Sequence, residues 1–179
     1  MASFSFDASI SEIFTVLASG GELHIITDEV KKDTEELENY IEEHAIHFAT
    51  ISPSYLKLLQ LDKIKSLKKL VTAGEAAPTE EVKKYLTYGG TCFNAYGPTE
   101  TSICATIYKV NENELQELSN VPIGFPIANT KIYILGTNEK LLPLGAIGEI
   151  YVSGAGLAEG YLNKPELTNQ KFIDNPFAE

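Results

Sequence analysis

Basic residues are in short supply: 14 lysines and arginines stand against 25 aspartates and glutamates, a formal net charge of -11 over 179 residues. Binding to a phosphate backbone needs a concentrated basic face, so nucleic acid is excluded as an expected partner. Cysteines are few. Cys92 and Cys104 form no CxxC pair, have no histidine at ligand spacing and make no disulfide framework, which fits a reducing cytoplasm. No apolar run reaches the roughly 18 residues that a membrane span needs. The start, MASFSFDAS, lacks the basic and apolar regions of a signal peptide, so a soluble, unexported protein without a membrane partner is expected. His24, His44 and His47 lie apart in the pattern and predict no metal site. Repeats, low-complexity segments and flexible linkers are also missing.

What is present alternates. SISEIFTVLAS places Ile10, Ile13, Phe14 and Leu17 at helical spacing behind a Ser9-x-x-Glu12 capping box, and Gly20-Gly21 ends that helix. ELHIIT reads as a short strand. DTEELENYIEE (33–43) reads as the wet side of a helix whose buried stripe is Leu37, Tyr40 and Ile41. The strand HFATIS, a helix opened by Pro53, the strand KKLVTA, a helix with Pro78 in its first turn and the strand TCFNA follow. Strands alternating with helices predict an α/β class with a mostly parallel sheet covered on both faces. After Val110 the pattern becomes two antiparallel strands, TKIYIL and GEIYVSG, with a turn-rich connection, and PELTNQKF predicts a short helix. The expected division is 1–110 as an α/β subdomain and 111–179 as the beginning of a β-rich one.

In an open α/β sheet, ligands bind beyond the carboxyl ends of the strands. Thr50, the stretch Ala73-Gly74-Glu75-Ala76 and the pair Ala95-Tyr96 fall on three successive strand exits, which predicts one shared site; equally, Gly74 and Gly97 could do no more than make turns. The turn in NAYGPTE (94–100) offers a ring at Tyr96, a hydroxyl at Thr99 and a carboxylate at Glu100. These types suit a base, a phosphate oxygen and Mg²⁺, although a lone turn carboxylate is just as often simply solvated. GAGLAEG (154–160) lacks the G-x-G-x-x-G spacing and the following βαβ unit of a dinucleotide loop.

FSFDAS (4–9), AGEA (73–76), NAYGPTE and GEIYVSGAGLAEGYLNKPELTNQKF (148–172) stand in the order and approximate spacing of the amino-acid-activating adenylation domains of nonribosomal peptide synthetases, and the chain resembles that family over nearly its whole length. The resemblance implies a flavodoxin-like parallel-sheet layer sandwich followed by a β-rich subdomain, use of ATP and Mg²⁺, and a role in antibiotic biosynthesis. It implies that Tyr96 stacks on adenine opposite the Gly74-Glu75-Ala76 backbone, with Asn94 lining the adenine end. Thr99 and Glu100 are implied as catalytic groups, Thr99 touching phosphate and Glu100 holding Mg²⁺. Asp7 matches the aspartate that pairs with a substrate α-ammonium, and a helix-terminal carboxylate complementing the dipole is a compatible plainer role. The implied side-chain pocket is Asp7, Ala8, Ser11, Thr50, Val71, Ala73, Ala95, Ile103 and Cys104. Apart from Asp7 this lining is uncharged, and its small residues predict a roomy, mostly apolar pocket for phenylalanine, tyrosine or tryptophan. The Ser11 hydroxyl stands where some relatives carry a bulky aromatic and favours a larger or more polar ring.

Some family parts are not in this sequence. The phosphate loop upstream, and the ribose-binding aspartate, hinge and lysine-bearing small domain downstream, are absent, as is any carrier segment for phosphopantetheine. The expectation is an internal piece of a larger domain, whose partners are the remainder of that domain and a peptidyl carrier, and which forms no adenylate alone. Glu159 stands where the family usually has arginine, reversing a charge. Two other readings stay open: an acyl or aryl acid ligase of the wider superfamily, and a non-catalytic, exchangeable specificity module.

Overall fold

The computed structural model describes residues 2–177. The chain divides into two compact units, Met1–Tyr96 with Thr106–Phe125, and Gly97–Ala105 with Pro126–Glu179. The first unit is an α/β layer. Strands β1 (Phe48–Thr50), β2 (Lys69–Ala73) and β3 (Thr91–Tyr96) are parallel, β4 (Thr106–Lys109) runs antiparallel to β3, and the sheet closes with the two-residue β5 (Phe125–Pro126) in the order β1-β2-β3-β4-β5. Helices α1 (Ala8–Ala18), α2 (Asp28–Lys32), α3 (Thr34–Glu43), α4 (Pro53–Leu56), α5 (Thr79–Thr87) and α6 (Glu112–Glu117) connect and cover it. Alternation decides which side of the sheet is packed: Leu70 and Thr72 of β2, with Cys92 and Asn94 of β3, face inward. Leu70 and Cys92 join Leu37, Ile41, Leu56, Val82, Tyr85 and Leu115 in the core. Burial pushes the Cys92 thiol up to about 12 and raises the Tyr85 phenol. The Tyr85 hydroxyl donates to the Leu67 carbonyl at 2.9 Å, satisfying the one polar atom that this ring brings inside.

Several local expectations need correction. The segment 22–27, read as a strand, has no regular structure. The Ser9-Glu12 capping box does not form. Asp7 is the N-cap, so Ser9 lies inside the helix with its hydroxyl on the Phe6 carbonyl at 2.8 Å, and the Glu12 carboxylate accepts from the Ala2 amide. The apolar stripe of α1 is largely open: Ile10, Phe14 and Leu17 are exposed, and no α1 residue enters the core. The acidic helix is α3, with Leu37 and Ile41 buried as expected, but its charges are not all wet. Glu38 is 1% exposed; its Oε1 accepts from the Gln60 amide at 2.6 Å, and Lys63 Nζ lies 3.7 Å from Oε2. Glu42 accepts from the Ser66 amide at 2.6 Å, so two carboxylates tie α3 to the segment leading into β2. Residue type alone marks these glutamates as solvated, and only the fold brings to them the loop amides that they serve. His24 and His44, apart in sequence, come to 5.4 Å between ring centroids beside Tyr40, whose hydroxyl is 3.2 Å from His24 Nδ1.

In the second unit, β6 (Thr130–Leu135) pairs antiparallel with β7 (Glu149–Gly154), from Thr130 opposite Gly154 to Leu135 opposite Glu149. This is the predicted hairpin, and the predicted tail helix is α7 (Pro165–Lys171). Tyr133 of β6 stacks on Phe177, with centroids 5.0 Å apart. Among the described residues no helix is long and apolar enough to cross a membrane.

Candidate functional site

Within the first unit the register gathers four of the expected pocket residues. Thr50 is paired with Val71, and Ala73 with Ala95. Paired residues of neighbouring strands point to the same side, and Val71 and Ala73 are two apart, so all four share the half-exposed face of the sheet at its carboxyl end. Phe93, paired with Val71, and Ile107, paired with Ala95, belong to the same face and were missed. The signal for Phe93 was available in the alternation of TCFNAY; Ile107 depends on an antiparallel partner that no sequence pattern announced. Asn94 lies on the opposite, buried face, where its Nδ2 donates to the Pro122 carbonyl at 2.8 Å.

Asp7, Ala8 and Ser11 are placed by the first turns of α1. Asp7 and Ser11 are four apart and share a helix face. As N-cap, Asp7 makes no side-chain capping bond, and its Oδ2 is buried with no hydrogen-bond partner among the described residues. Gly74 leaves β2 at φ +91, a conformation that a side chain would strain, so the backbone turns there. Glu75 is exposed and accepts from the Ser54 hydroxyl at 3.1 Å, while Ala76 is exposed beside it. Tyr96 ends β3 opposite Thr106, half-buried.

Thr99, Glu100, Ile103 and Cys104 belong to the second unit. Gly97 opens their segment, and a Cβ there would stand 2.6 Å from the Ala105 amide and the Cys104 Cα, so only glycine admits this approach. A short 3-10 turn, Thr99–Thr101, follows, held by the Thr101 hydroxyl on the Pro98 carbonyl at 2.9 Å. Ser102 and Ile103 then take φ of 58 and 76, and the Cys104 amide donates to the Ser102 carbonyl at 2.9 Å, closing a γ-turn on a β-branched residue. Positive φ at isoleucine is costly, and such strain concentrates where a fold fixes a side chain for binding.

Glu100 is the best-supported polar group of this unit. Its carboxylate accepts from the Tyr161 hydroxyl at Oε1, its backbone carbonyl accepts from the Ala158 amide at 2.8 Å, and Lys171 contributes a favourable charge. The Tyr161 hydrogen bond, together with backbone hydrogen bonding, holds the Glu100 carboxyl below the usual carboxylate range; the same bond raises the Tyr161 phenol. Glu100 is therefore ionised at neutral pH, with Oε1 on the Tyr161 hydroxyl. An anionic oxygen in that state is the donor type that Mg²⁺ prefers, so the residue fits the ion.

A family model described as AMP-binding enzyme matches residues 1–162. Tyrocidine synthase 1 of Brevibacillus parabrevis is 46% identical over 179 residues, and gramicidin S synthase 1 of Brevibacillus brevis 44% over 179 residues. Each alignment covers 98% of this chain and 16% of the relative, so the chain spans a small part of their length. Among solved structures, a four-domain nonribosomal peptide synthetase bound to AMP and glycine has a TM-score of 0.88 at 31% identity, over 98% of this chain and 13% of that one. A protein containing adenylation and PCP domains has a TM-score of 0.85 at 29% identity, over 99% of this chain and 37% of that one. With the family model matching most of its length, and the adenylation domains of nonribosomal peptide synthetases as its structural kin, the chain belongs to the AMP-binding enzyme family.

Proposed function

We propose that this chain carries the amino-acid pocket and part of the ATP site of an adenylation domain that activates an aromatic amino acid in the cytoplasm. The observation that carries this reading is Asp7. A carboxylate oxygen that is buried and unpartnered costs stability unless a ligand satisfies it, and the α-ammonium of an amino acid supplies both the charge and the hydrogen bonds. The uncharged sheet face of Thr50, Val71, Ala73 and Ala95, with small side chains at two of the four positions, suits a planar ring, and Ala8, Ser11, Ile103 and Cys104 complete the lining.

On the nucleotide side, Tyr96 stacks on adenine against the Gly74-Glu75-Ala76 backbone, and Asn94 fixes the chain behind it. Thr99 donates to phosphate, and Glu100 holds Mg²⁺. When bound, Mg²⁺ neutralises charge on the polyphosphate, which this acidic chain would otherwise repel. The pocket presents the amino-acid carboxylate to the α-phosphate, where a carboxylate oxygen forms the new P–O bond and pyrophosphate leaves. The aminoacyl group then passes to a phosphopantetheine thiol on a carrier domain outside this chain. A relative bound to AMP and glycine, and another with a PCP domain, support this sequence of events.

The test is equilibrium binding of phenylalanine and of 3-phenylpropionate, which lacks the amine, to the wild-type chain and to Asp7→Ala. The reading predicts that only phenylalanine binds the wild type well and that Asp7→Ala loses roughly 10- to 100-fold toward it, the worth of a hydrogen bond to a charged group. Equal binding of the two ligands, unchanged by the substitution, contradicts it and favours an acid ligase.

A further inference from the structure

Tyr161 is joined to Glu100 by more than one bond. The Glu100 carboxylate takes the Tyr161 hydroxyl on Oε1, and the Glu100 carbonyl takes the Ala158 amide at 2.8 Å. Two residues further along the turn, the Ser102 hydroxyl donates to the Gly156 carbonyl at 2.7 Å. Gly156 is needed for that approach, since a Cβ would stand 2.9 Å from the Thr101 carbonyl oxygen. The segment 156–161 thus runs along the turn and ends with its aromatic hydroxyl on the one carboxylate that the turn offers.

Tyr161 is itself pinned from behind. Its amide donates to the Thr168 hydroxyl at 2.9 Å, and that hydroxyl donates to the Lys164 carbonyl at 3.0 Å, in the first turn of α7. Gly160 leaves room for this: at φ +137, a Cβ there would fall onto the Thr168 side chain. Phe172 meets the Tyr161 ring edge to face at 5.7 Å. Ring, amide and hydroxyl are each held, so the phenol has little freedom to swing away from Glu100. A side chain fixed at three points, with its polar end on a carboxylate, is the arrangement by which an outer residue orients a metal ligand.

We propose that Tyr161 is the positioning residue of the Glu100 carboxylate: it locks Oε1 and leaves Oε2 presented in one orientation to the Mg²⁺ of a bound nucleotide. The inference rests on the reading of Glu100 as the Mg²⁺-holding group. It adds a residue outside the candidate set, with a chain of support running from α7 through Thr168 to Tyr161 and then Glu100.

Two measurements on the isotope-labelled chain keep the inference and that reading apart. Side-chain scalar couplings of Glu100 are taken without nucleotide or metal, in the wild type and in Tyr161→Phe, with hydrogen exchange of the Ala158 amide as a check on the local fold. The expected result is a single Glu100 rotamer in the wild type, averaged rotamers in Tyr161→Phe, and unchanged Ala158 protection. A Glu100 that stays in one rotamer without the hydroxyl overturns the inference. So does loss of Ala158 protection in the variant, which would make Tyr161 a packing residue. Mn²⁺ with ATP is then titrated while broadening of the 100–102 amides is followed. Tyr161→Phe should weaken the apparent Mn²⁺ affinity about tenfold, and an affinity within about twofold of wild type overturns the positioning role. Glu100→Gln should abolish the broadening; if that variant, which keeps an acceptor for Tyr161, broadens like the wild type, the reading of Glu100 as a metal ligand falls, whatever the rotamer data show.

Discussion

Asp7 is the residue at which stability and function pull in opposite directions. Its Oδ2, buried and without a hydrogen-bond partner among the described residues, weakens the unliganded fold, and on the proposed reading a ligand ammonium offsets that cost. Asp7→Asn is therefore expected to leave the thermal midpoint unchanged or raise it while abolishing phenylalanine binding, as checked by calorimetric melting beside a binding isotherm. A variant that melts lower would mean that the carboxylate is serving the fold. Ile103 poses the same conflict through its backbone. Ile103→Gly should relieve roughly 1–3 kcal/mol of strain at φ 76, offset in denaturant unfolding by about 1 kcal/mol of glycine entropy, while removing a side chain proposed for the pocket. Phe93 and Ile107 sit on the same sheet face as the expected pocket; the first could have been read from strand alternation and the second only from the register.

At the scale of elements, β2, β3 and α5 were legible because each carries its own signal: alternation in KLVTA and TCFNAY, and Pro78 just before TEEVKKYLT. The false strand at 22–27 has strand-like composition but gains no partner, and composition alone cannot supply one. The boundary between α2 and α3 has a readable cause in Asp33, which ends one helix and accepts from the Glu35 and Glu36 amides at 2.9 and 3.2 Å to open the next. Asp33→Ala should cost about 1 kcal/mol in urea unfolding, and no loss would show that the cap is idle. The inner face of β3 gives a pH dependence. Cys92 titrates near 9 when unfolded and near 12 when buried, so its contribution is complete below pH 9 and is lost as pH rises toward 12. Tyr85, whose phenol is also raised by burial, acts in the same sense. Alkaline unfolding should therefore steepen above pH 9, and Cys92→Ala should flatten it, with some stability lost at pH 7 through the cavity. An unaltered alkaline slope in that variant would contradict the assigned burial.

Across the whole chain, each unit carries its own share of the proposed residues: the sheet face and Asp7 belong to the first, and Thr99, Glu100, Ile103 and Cys104 to the second. Ordered short motifs made the family legible, since each keeps its chemistry within a few residues. The support behind them was not, because Tyr161 and Thr168 reach Glu100 from some 60 residues away, where no periodicity points. On the proposed reading, Thr99 and an ion held by Glu100 supply only part of the charge stabilisation that adenylate formation needs at the α-phosphate. The isolated chain is accordingly expected to give no substrate-dependent ATP–pyrophosphate exchange above background, and clear exchange would mean that these groups suffice.

The most direct test is a two-dimensional amide spectrum of the labelled chain titrated with phenylalanine, tyrosine and leucine in the presence of AMP and Mg²⁺. The account predicts dispersed peaks, with shifts centred on Asp7, Val71 and Ala95 for the aromatic ligands and little change for leucine. Dispersed peaks that no ligand moves, or that leucine moves as strongly as phenylalanine, would contradict a preformed aromatic amino-acid pocket in this chain.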